Sequence, residues 1–161
     1  MRKPVYRYYN GTDHFYTTNR SELGDGAAGY SLEGVAFYLE ETPLDGNFKP
    51  FSRWYNSESG DHYYTADPNE RPGGYNQEDP AMGYCIVSPP PGGLTSHVPL
   101  SRYWNGRDHF YTIDPSKEIL DGISLKTSSN AYSKELEAAC YVWGNEKDPS
   151  DTSRMPSEPV R

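Results

Sequence analysis

The sequence predicts an all-β fold of three pseudo-symmetric repeats, for which a β-trefoil is the leading arrangement and a threefold β-prism the alternative. An Asp-His-aromatic-Tyr-Thr string recurs at regular spacing, beginning at Asp13, Asp61 and Asp108. Turn-forming residues are abundant, with 15 glycines and 14 prolines in 161 residues, which indicates many short strands. No apolar period of the helical kind persists along the chain, and this argues against a helical solenoid.

Each repeat is predicted to open with a β-hairpin. The first strands read "VYRYYN", "FSRWYN" and "LSRYWN", and the Asp-His string forms the second strand. Asn10-Gly11 and Asn105-Gly106 are dipeptides typical of two-residue hairpin turns. The second repeat has "SESG" at this place, and the difference of two residues preserves the side-chain phase of both strands.

A longer loop and a third strand complete each repeat. The segments "GYSLEGVAFYL", "GYNQEDPAMGYCI" and "AYSKELEAACYV" each contain a Tyr followed three residues later by a Glu, and then a strand of small and apolar residues. The predicted domain is 1–144, with repeats at about 4–48, 49–97 and 98–144. The polar segment 145–161 is predicted to be a flexible tail.

Charge and cysteine content restrict the partners and the compartment. The net charge of −8 argues against nucleic acid and anionic membranes, which need a basic surface. No apolar run is long enough for membrane insertion. The first residues lack an apolar leader, so we expect a cytoplasmic protein, or a secreted one if a leader has been removed. Cys85 and Cys140 are expected to be buried thiols, with a single bridge as the alternative. The oligomeric state is left open.

Strand alternation divides each predicted hairpin into two faces. If Asn10 opposes Asp13, the next pairs along the first hairpin are Tyr9–His14, Tyr8–Phe15 and Arg7–Tyr16. The face with the large aromatic pair is predicted to be core. The other face is predicted to form a shallow platform, because burying its Arg and His would require many matched hydrogen bonds.

This second face suggests a lectin with up to three equivalent shallow glycan sites, one per repeat. Sugar C–H faces stack on Tyr or Trp, and sugar hydroxyls need charged donors and acceptors. With the Asp of each turn added, each repeat contributes an Arg, an aromatic residue, an Asp, a His and a Tyr. The predicted ligand-binding residues are Arg7, Tyr9, Asp13, His14, Tyr16, Arg53, Tyr55, Asp61, His62, Tyr64, Arg102, Trp104, Asp108, His109 and Tyr111.

The same residues also have a structural interpretation. Each Asp follows a turn and is placed to accept backbone N–H bonds. Each His suits a carbonyl or a Tyr hydroxyl, and each Arg suits an ion pair with a neighbouring unit. The repeated Glu33, Glu78 and Glu135 are expected to cap loops. A threefold fold reuses its structural solutions, so the repetition alone does not separate these interpretations.

No enzyme is predicted, since the chain has no G-x-S-x-G, H-E-x-x-H or P-loop motif. We expect no cofactor and no metal, because a metal site would require the three motif histidines to converge. Two alternatives to the lectin are a trefoil protease inhibitor acting through loops and a non-catalytic protein-interaction module.

The strings "YRYYNGTDHFYTTN", "SRWYNSESGDHYYTAD" and "SRYWNGRDHFYTID" resemble a repeat family of unknown function with a "YRFYN…DHFYT" signature. The resemblance extends over nearly all of residues 4–143. In that family, tandem copies accompany hydrolases in secreted bacterial proteins and also occur in fungal proteins. The resemblance implies a three-unit β module used for binding, and it implies no established ligand or catalytic residue.

Overall fold

The protein is described here by a computed structural model covering residues 1–89, 97–120 and 132–144. The architecture is all-β, and its short helical segments in these ranges are a 3₁₀ helix, Arg20–Glu22, and α1, Pro115–Leu120. No helix in the same ranges has the length and apolar character needed to cross a membrane. The predicted tail, 145–161, lies outside the described residues. The strands are β1 Arg2–Tyr9, β2 His14–Thr17, β3 Ser31–Glu40, β4 Phe48–Asn56, β5 Asp61–Thr65, β6 Asn76–Ile86, β7 His97–Pro99, β8 Ser101–Trp104, β9 His109–Thr112, β10 Ser133–Leu136 and β11 Tyr141–Trp143.

The predicted hairpins and their registers are confirmed. Tyr8 pairs with Phe15 in the first hairpin, and the equivalent pairs are Trp54–Tyr63 and Tyr103–Phe110. The tight turns form because Gly11 and Gly106 adopt positive φ angles of 99° and 97°, which residues with a side chain rarely adopt. The side-chain oxygen of the preceding asparagine also accepts two backbone N–H bonds in each of these turns.

Each unit has the same strand order, with the first strand lying between the second and the third. The orders are β2-β1-β3, β5-β4-β6 and β9-β8-β10. In the third unit, the segment equivalent to β3 and β6 is divided into β10 and β11. β11 joins this unit to the other two through the pairs Tyr38–Trp143 and Tyr141–Ile86, and β3 meets β6 through Glu40–Tyr84. The sheets are not closed into a barrel. This arrangement places the three hairpins side by side, so that the second strands β2, β5 and β9 contact one another in a ring.

Both faces of each hairpin are largely buried, so the prediction of an open second face is wrong for most of its residues. The first-face aromatic pairs are buried as predicted. On the second face, Val5, Phe51 and Leu100 are at most 1 % exposed and pack with Tyr16 and its equivalents into the main hydrophobic core. The second faces of three neighbouring hairpins cover one another, which a single hairpin considered alone does not reveal.

The prediction of two buried thiols is also wrong, because Cys85 and Cys140 form a disulfide. Both side chains are buried. Cys85 belongs to β6 of the second unit, and Cys140 immediately precedes β11 of the third. The bridge therefore ties the third strands of two units together.

Candidate functional site

The three Asp-His motifs form one cyclic network that runs between units. The backbone N–H and Nδ1 of His62 lie 3.0 and 2.6 Å from the two carboxylate oxygens of Asp13, which belongs to the preceding unit. His109 contacts Asp61 in the same way, and His14 contacts Asp108. Each aspartate thus holds the histidine of the next unit. The motif joins units, and this explains why it must occur in every one of them.

The tyrosine that immediately precedes β3, β6 or β10 supplies a further hydrogen bond to each aspartate. Tyr30 donates to Asp13 over 2.6 Å, and Tyr75 donates to Asp61 over the same distance. Tyr132 contacts Asp108 at 2.5 Å. Burial, together with the adjacent carboxylate, raises the pKa of each of these phenols. The hydroxyls therefore remain protonated donors.

The three aspartates come close enough to raise the question of a metal ion. One oxygen from each carboxylate lies within 4.8 Å of the others, and all three side chains are buried. Each carboxylate already accepts a backbone N–H, an imidazole and a phenol. The cluster is therefore a set of compensated buried charges, and a cation would compete with donors that the protein supplies. The three motif histidines each contact a different aspartate.

A second cyclic network lies along the second strands. Tyr16 N–H donates to the Tyr64 hydroxyl, Tyr64 N–H to the Tyr111 hydroxyl, and Tyr111 N–H to the Tyr16 hydroxyl, over 2.7–2.8 Å. Each hydroxyl donates in turn to a backbone carbonyl of the same ring. All three side chains have no exposed surface. These predicted site residues are therefore the hydrogen-bonded centre of the protein.

The motif arginines form ion pairs, as the structural interpretation anticipated. Arg7 binds Glu33 of its own unit at 2.7 Å and Glu118 of the third unit through both terminal nitrogens. Arg53 binds Glu78 at 2.9 Å and Glu22 in the same fashion. The glutamates that were expected to cap loops instead bind arginines.

His62 carries a charge at neutral pH. Burial alone would lower its pKa, but its contacts with Asp13 and Glu78 raise the pKa to about 9. Burial works in the opposite direction on Asp13, whose pKa it raises. Because the imidazolium is enclosed by two carboxylates and is itself buried, it stabilises the packing of neighbouring units.

Burial separates the 15 predicted site residues into two groups. Eleven of them are buried: Arg7, Asp13, His14, Tyr16, Arg53, Asp61, His62, Tyr64, Asp108, His109 and Tyr111. Four are partly exposed: Tyr9, Tyr55, Arg102 and Trp104. The expectation that all 15 line an open platform is corrected, because neighbouring hairpins and loops cover most of them.

The partly exposed aromatic residues occupy equivalent positions at the ends of the three first strands. Tyr9 lies on His14 with ring centroids 4.3 Å apart, Tyr55 lies on His62 at 4.6 Å, and Trp104 lies on His109 at 4.2 Å. We call Tyr9, Tyr55 and Trp104 the aromatic shelves. Each shelf packs against a buried histidine, which in turn is fixed by an aspartate of the previous unit.

The first shelf borders an open cavity of about 380 Å³. Its wall combines an aromatic ring, a carboxylate, amide and hydroxyl groups and glycine backbone, from Tyr9, Asn10, Gly11, Gly29, Ser31, Leu32 and Glu33. The equivalents of Glu33 beside the other shelves are Glu78 and Glu135, whose side chains are 35 % and 33 % exposed. Each shelf therefore has a carboxylate nearby, and those of the second and third units are open to solvent.

Comparison with known proteins identifies a family but no activity. The model of the family described as "Domain of unknown function (DUF5648)" matches residues 4–142. The chain belongs to this family. No curated protein and no solved structure matches the chain significantly.

The most important residues missing from the predicted site are the tyrosines and glutamates that complete the networks. Tyr30, Tyr75 and Tyr132 recur three residues before a glutamate in the third-strand segments, so the repeat itself contained the signal. Glu22 and Glu118 carry no such signal, because they lie in short helical segments of different kinds, the 3₁₀ helix and α1. Only the packing of one unit on the next shows that both serve the same purpose.

Proposed function

We propose that this family member is a carbohydrate-binding protein, with the aromatic shelves Tyr9, Tyr55 and Trp104 as its three shallow sites. The buried Arg, Asp, His and Tyr residues of the motif act behind these sites and hold them in place. The proposed ligands are neutral glycans on clustered surfaces, since each shelf lies next to a carboxylate. The proposed role is non-catalytic.

One observation carries this proposal: an aromatic ring is held at the same partly exposed position in all three units, beside a glutamate. Rigid aromatic surfaces next to fixed polar groups are the usual composition of small-ligand sites. Tyr and Trp provide large contact areas at a low cost in conformational entropy. The cavity beside Tyr9 offers about 380 Å³, which is roomy enough for a monosaccharide.

A trefoil-like arrangement of the units is part of the same proposal. It is supported by the cyclic order of the contacts, in which each unit contacts the next through identical Asp–His and Tyr–Tyr pairs. The competing arrangement is a β-prism, in which the three sheets stay separate. An experimental structure that resolves the whole of the third unit decides between them.

The disulfide favours the secreted alternative for localisation. Such bridges persist in oxidising compartments and are rare in reducing ones. Cys85 and Cys140 are buried and paired, which supports folding in an oxidising environment. Thiol titration of protein isolated from its native source tests this, because cytoplasmic folding would leave two titratable thiols.

A glycan array followed by calorimetry tests the lectin proposal. We expect wild-type protein to bind one class of neutral glycan, with single-site dissociation constants of about 1 mM. The triple variant Tyr9→Ala/Tyr55→Ala/Trp104→Ala should lose this binding while keeping its thermal unfolding midpoint within a few degrees. The matched control is Tyr141→Phe, a partly exposed tyrosine outside the shelves, and it should bind as wild type.

Three results would count against the proposal. Folded wild-type protein that binds no glycan refutes it directly. Inhibition of a cysteine or serine protease by the triple variant and the wild type alike would instead support the loop-based inhibitor. Pull-down of a protein partner that survives the triple substitution would support an interaction module.

A further inference from the structure

At two of the three unit boundaries, a carboxylate accepts hydrogen bonds from both terminal nitrogens of an arginine. Arg7 donates through Nη1 and Nη2 to Glu118 over 3.0 and 2.5 Å. Arg53 donates in the same way to Glu22 over 3.2 and 3.1 Å. In both cases the glutamate comes from the loop after the second strand of the preceding unit. The fold thus builds a bidentate carboxylate-binding position, which is the geometry that guanidinium groups prefer.

The third boundary has the arginine but lacks this second carboxylate. Arg102 donates through Nε to Glu135 over 3.0 Å, and this is its only hydrogen bond within the described residues. The loop residue in the position of Glu22 is Glu70, 48 residues further along the chain. Glu70 forms no hydrogen bond or ion pair with Arg102 in the described part of the chain. Among the residues that the structure describes, the terminal nitrogens of Arg102 therefore have no acceptor like that of their counterparts.

One hydroxyl group also distinguishes the third boundary from the other two. Each guanidinium lies over an aromatic ring. The ring belongs to Phe110 for Arg7 and to Phe15 for Arg53, but to Tyr63 for Arg102. Burial raises the pKa of Tyr63, and the neighbouring Glu70 carboxylate raises it further. Glu70 therefore acts on the Tyr63 hydroxyl as a nearby carboxylate and lines the same cavity as Arg102, whereas a phenylalanine offers it no such partner.

The place left open is a cavity of about 370 Å³. Two large aliphatic side chains, Val87 and Leu136, line it while remaining 44 % and 40 % exposed. The side chain of Arg102 is only 14 % exposed, so its guanidinium forms part of the cavity wall. The complete lining is Lys49, Thr65, Ala66, Asp67, Pro68, Glu70, Val87, Arg102, Leu136 and Ala139.

We propose that this cavity binds a small monocarboxylic acid with an apolar body. The ligand carboxylate occupies the position that Glu118 and Glu22 fill at the other boundaries and accepts from the terminal nitrogens of Arg102. The apolar body covers Val87 and Leu136. This site is separate from the aromatic shelves, and it goes beyond the proposed glycan-binding function.

The charges around the cavity determine which acids fit. Lys49 adds a second cation, while Asp67 and Glu70 line the same cavity as anions. A ligand with one negative charge restores the arrangement seen around Arg7 and Arg53, where each guanidinium contacts two carboxylates. A dicarboxylate or a phosphate would place additional charge against Asp67 and Glu70, so we expect both to bind more weakly.

Calorimetry with a matched pair of probes tests the site. N-acetyl-leucine should bind wild-type protein saturably, with a dissociation constant below about 1 mM, and the neutral N-acetyl-leucine amide should not. Arg102→Gln should weaken binding of the acid about tenfold to a hundredfold, as expected for loss of a charge-assisted contact. Arg107→Gln is the matched control, because it makes the same charge change at an exposed turn. Equal binding of acid and amide, or no binding of the acid by folded wild type, overturns the proposal.

A gentler substitution covers the case in which Arg102→Gln does not fold. Tyr63→Phe restores the residue type of the other two units, so Glu70 should move onto Arg102 and compete with the ligand. We expect acid binding to weaken about tenfold, and the double variant Tyr63→Phe/Glu70→Gln should recover it. Unchanged affinity in Tyr63→Phe would refute the account of why this site is open. Arg102 binds Glu135 beside the third shelf, but none of these substitutions is made at Tyr9 or Tyr55, so glycan binding at these two shelves reports separately on the proposed function.

Discussion

His62 illustrates how burial and charge oppose each other at single residues. The side chain is 8 % exposed and contacts one carboxylate through each ring nitrogen, Asp13 at 2.6 Å and Glu78 at 3.3 Å. Desolvation disfavours the imidazolium, and the two carboxylates favour it more strongly. A charged histidine can therefore be buried here, because it contacts the buried carboxylate of Asp13 and the partly exposed carboxylate of Glu78.

The raised pKa of His62 makes stability depend on pH. Because the folded pKa, about 9, exceeds the ordinary value of 6.5, the contribution of this group is fully present below pH 6.5 and is lost as pH rises through 9. A shift of this size corresponds to about 3 kcal/mol. We expect the free energy of unfolding, measured by urea titration, to fall between pH 6.5 and 9.

The variant His62→Gln isolates this contribution. It should be less stable than wild type at pH 6, and the difference should shrink as the pH approaches 10. A difference between the two proteins that does not change with pH would show that His62 stays neutral in the folded state.

At the scale of elements, β6 and the segment leading into β11 are joined by the Cys85–Cys140 disulfide across 55 residues. A bridge that closes a loop of this length restricts the unfolded chain more than the folded one. The effect matters for this protein because its third unit is held by short strands, β7 and β11, of three residues each.

Reduction of this disulfide is expected to lower the free energy of unfolding by about 4 kcal/mol. Urea unfolding with and without reductant measures the effect, since the same side chains are present in both states. The double variant Cys85→Ala/Cys140→Ala should behave like reduced wild type and show no response to reductant. Equal stability of reduced and oxidised protein would show that the bridge does not constrain the unfolded chain.

At the scale of the whole molecule, the units are connected by cycles of contacts. Each histidine depends on an aspartate one unit away, and each motif tyrosine bonds to the other two. Disrupting one member therefore disturbs two boundaries. This cyclic dependence also fixes the three aromatic shelves on one rigid body, which is the condition for avidity.

Avidity predicts different results on clustered and on soluble ligands. For the single variant Tyr55→Ala, we expect binding to a dense glycan surface to fall about tenfold or more. The affinity of the remaining sites for the free monosaccharide should be unchanged in calorimetry, with a proportionally smaller number of sites. Surface plasmon resonance at two glycan densities measures the first effect, and an equal loss at both densities would argue against multivalent binding.

The repeat and the local register could be predicted from the sequence because both depend on nearby residues. Asn-Gly turns specify hairpin closure, and two-residue alternation then determines which side chains share a face. The registers around Tyr8–Phe15, Trp54–Tyr63 and Tyr103–Phe110 followed from these rules. The aromatic shelves also belonged to the predicted site.

The sequence by itself determined an all-β chain with three similar hairpins and the chemistry each hairpin carries. Only the tertiary structure decided which of those groups meet water, because burial depends on contacts between residues about 48 positions apart. Those contacts place His62 on Asp13 and close the Tyr16 ring, so most of the motif faces inward. They also decide which arginines meet a second carboxylate: Arg7 and Arg53 do, whereas Arg102 hydrogen-bonds to Glu135 alone within the described residues.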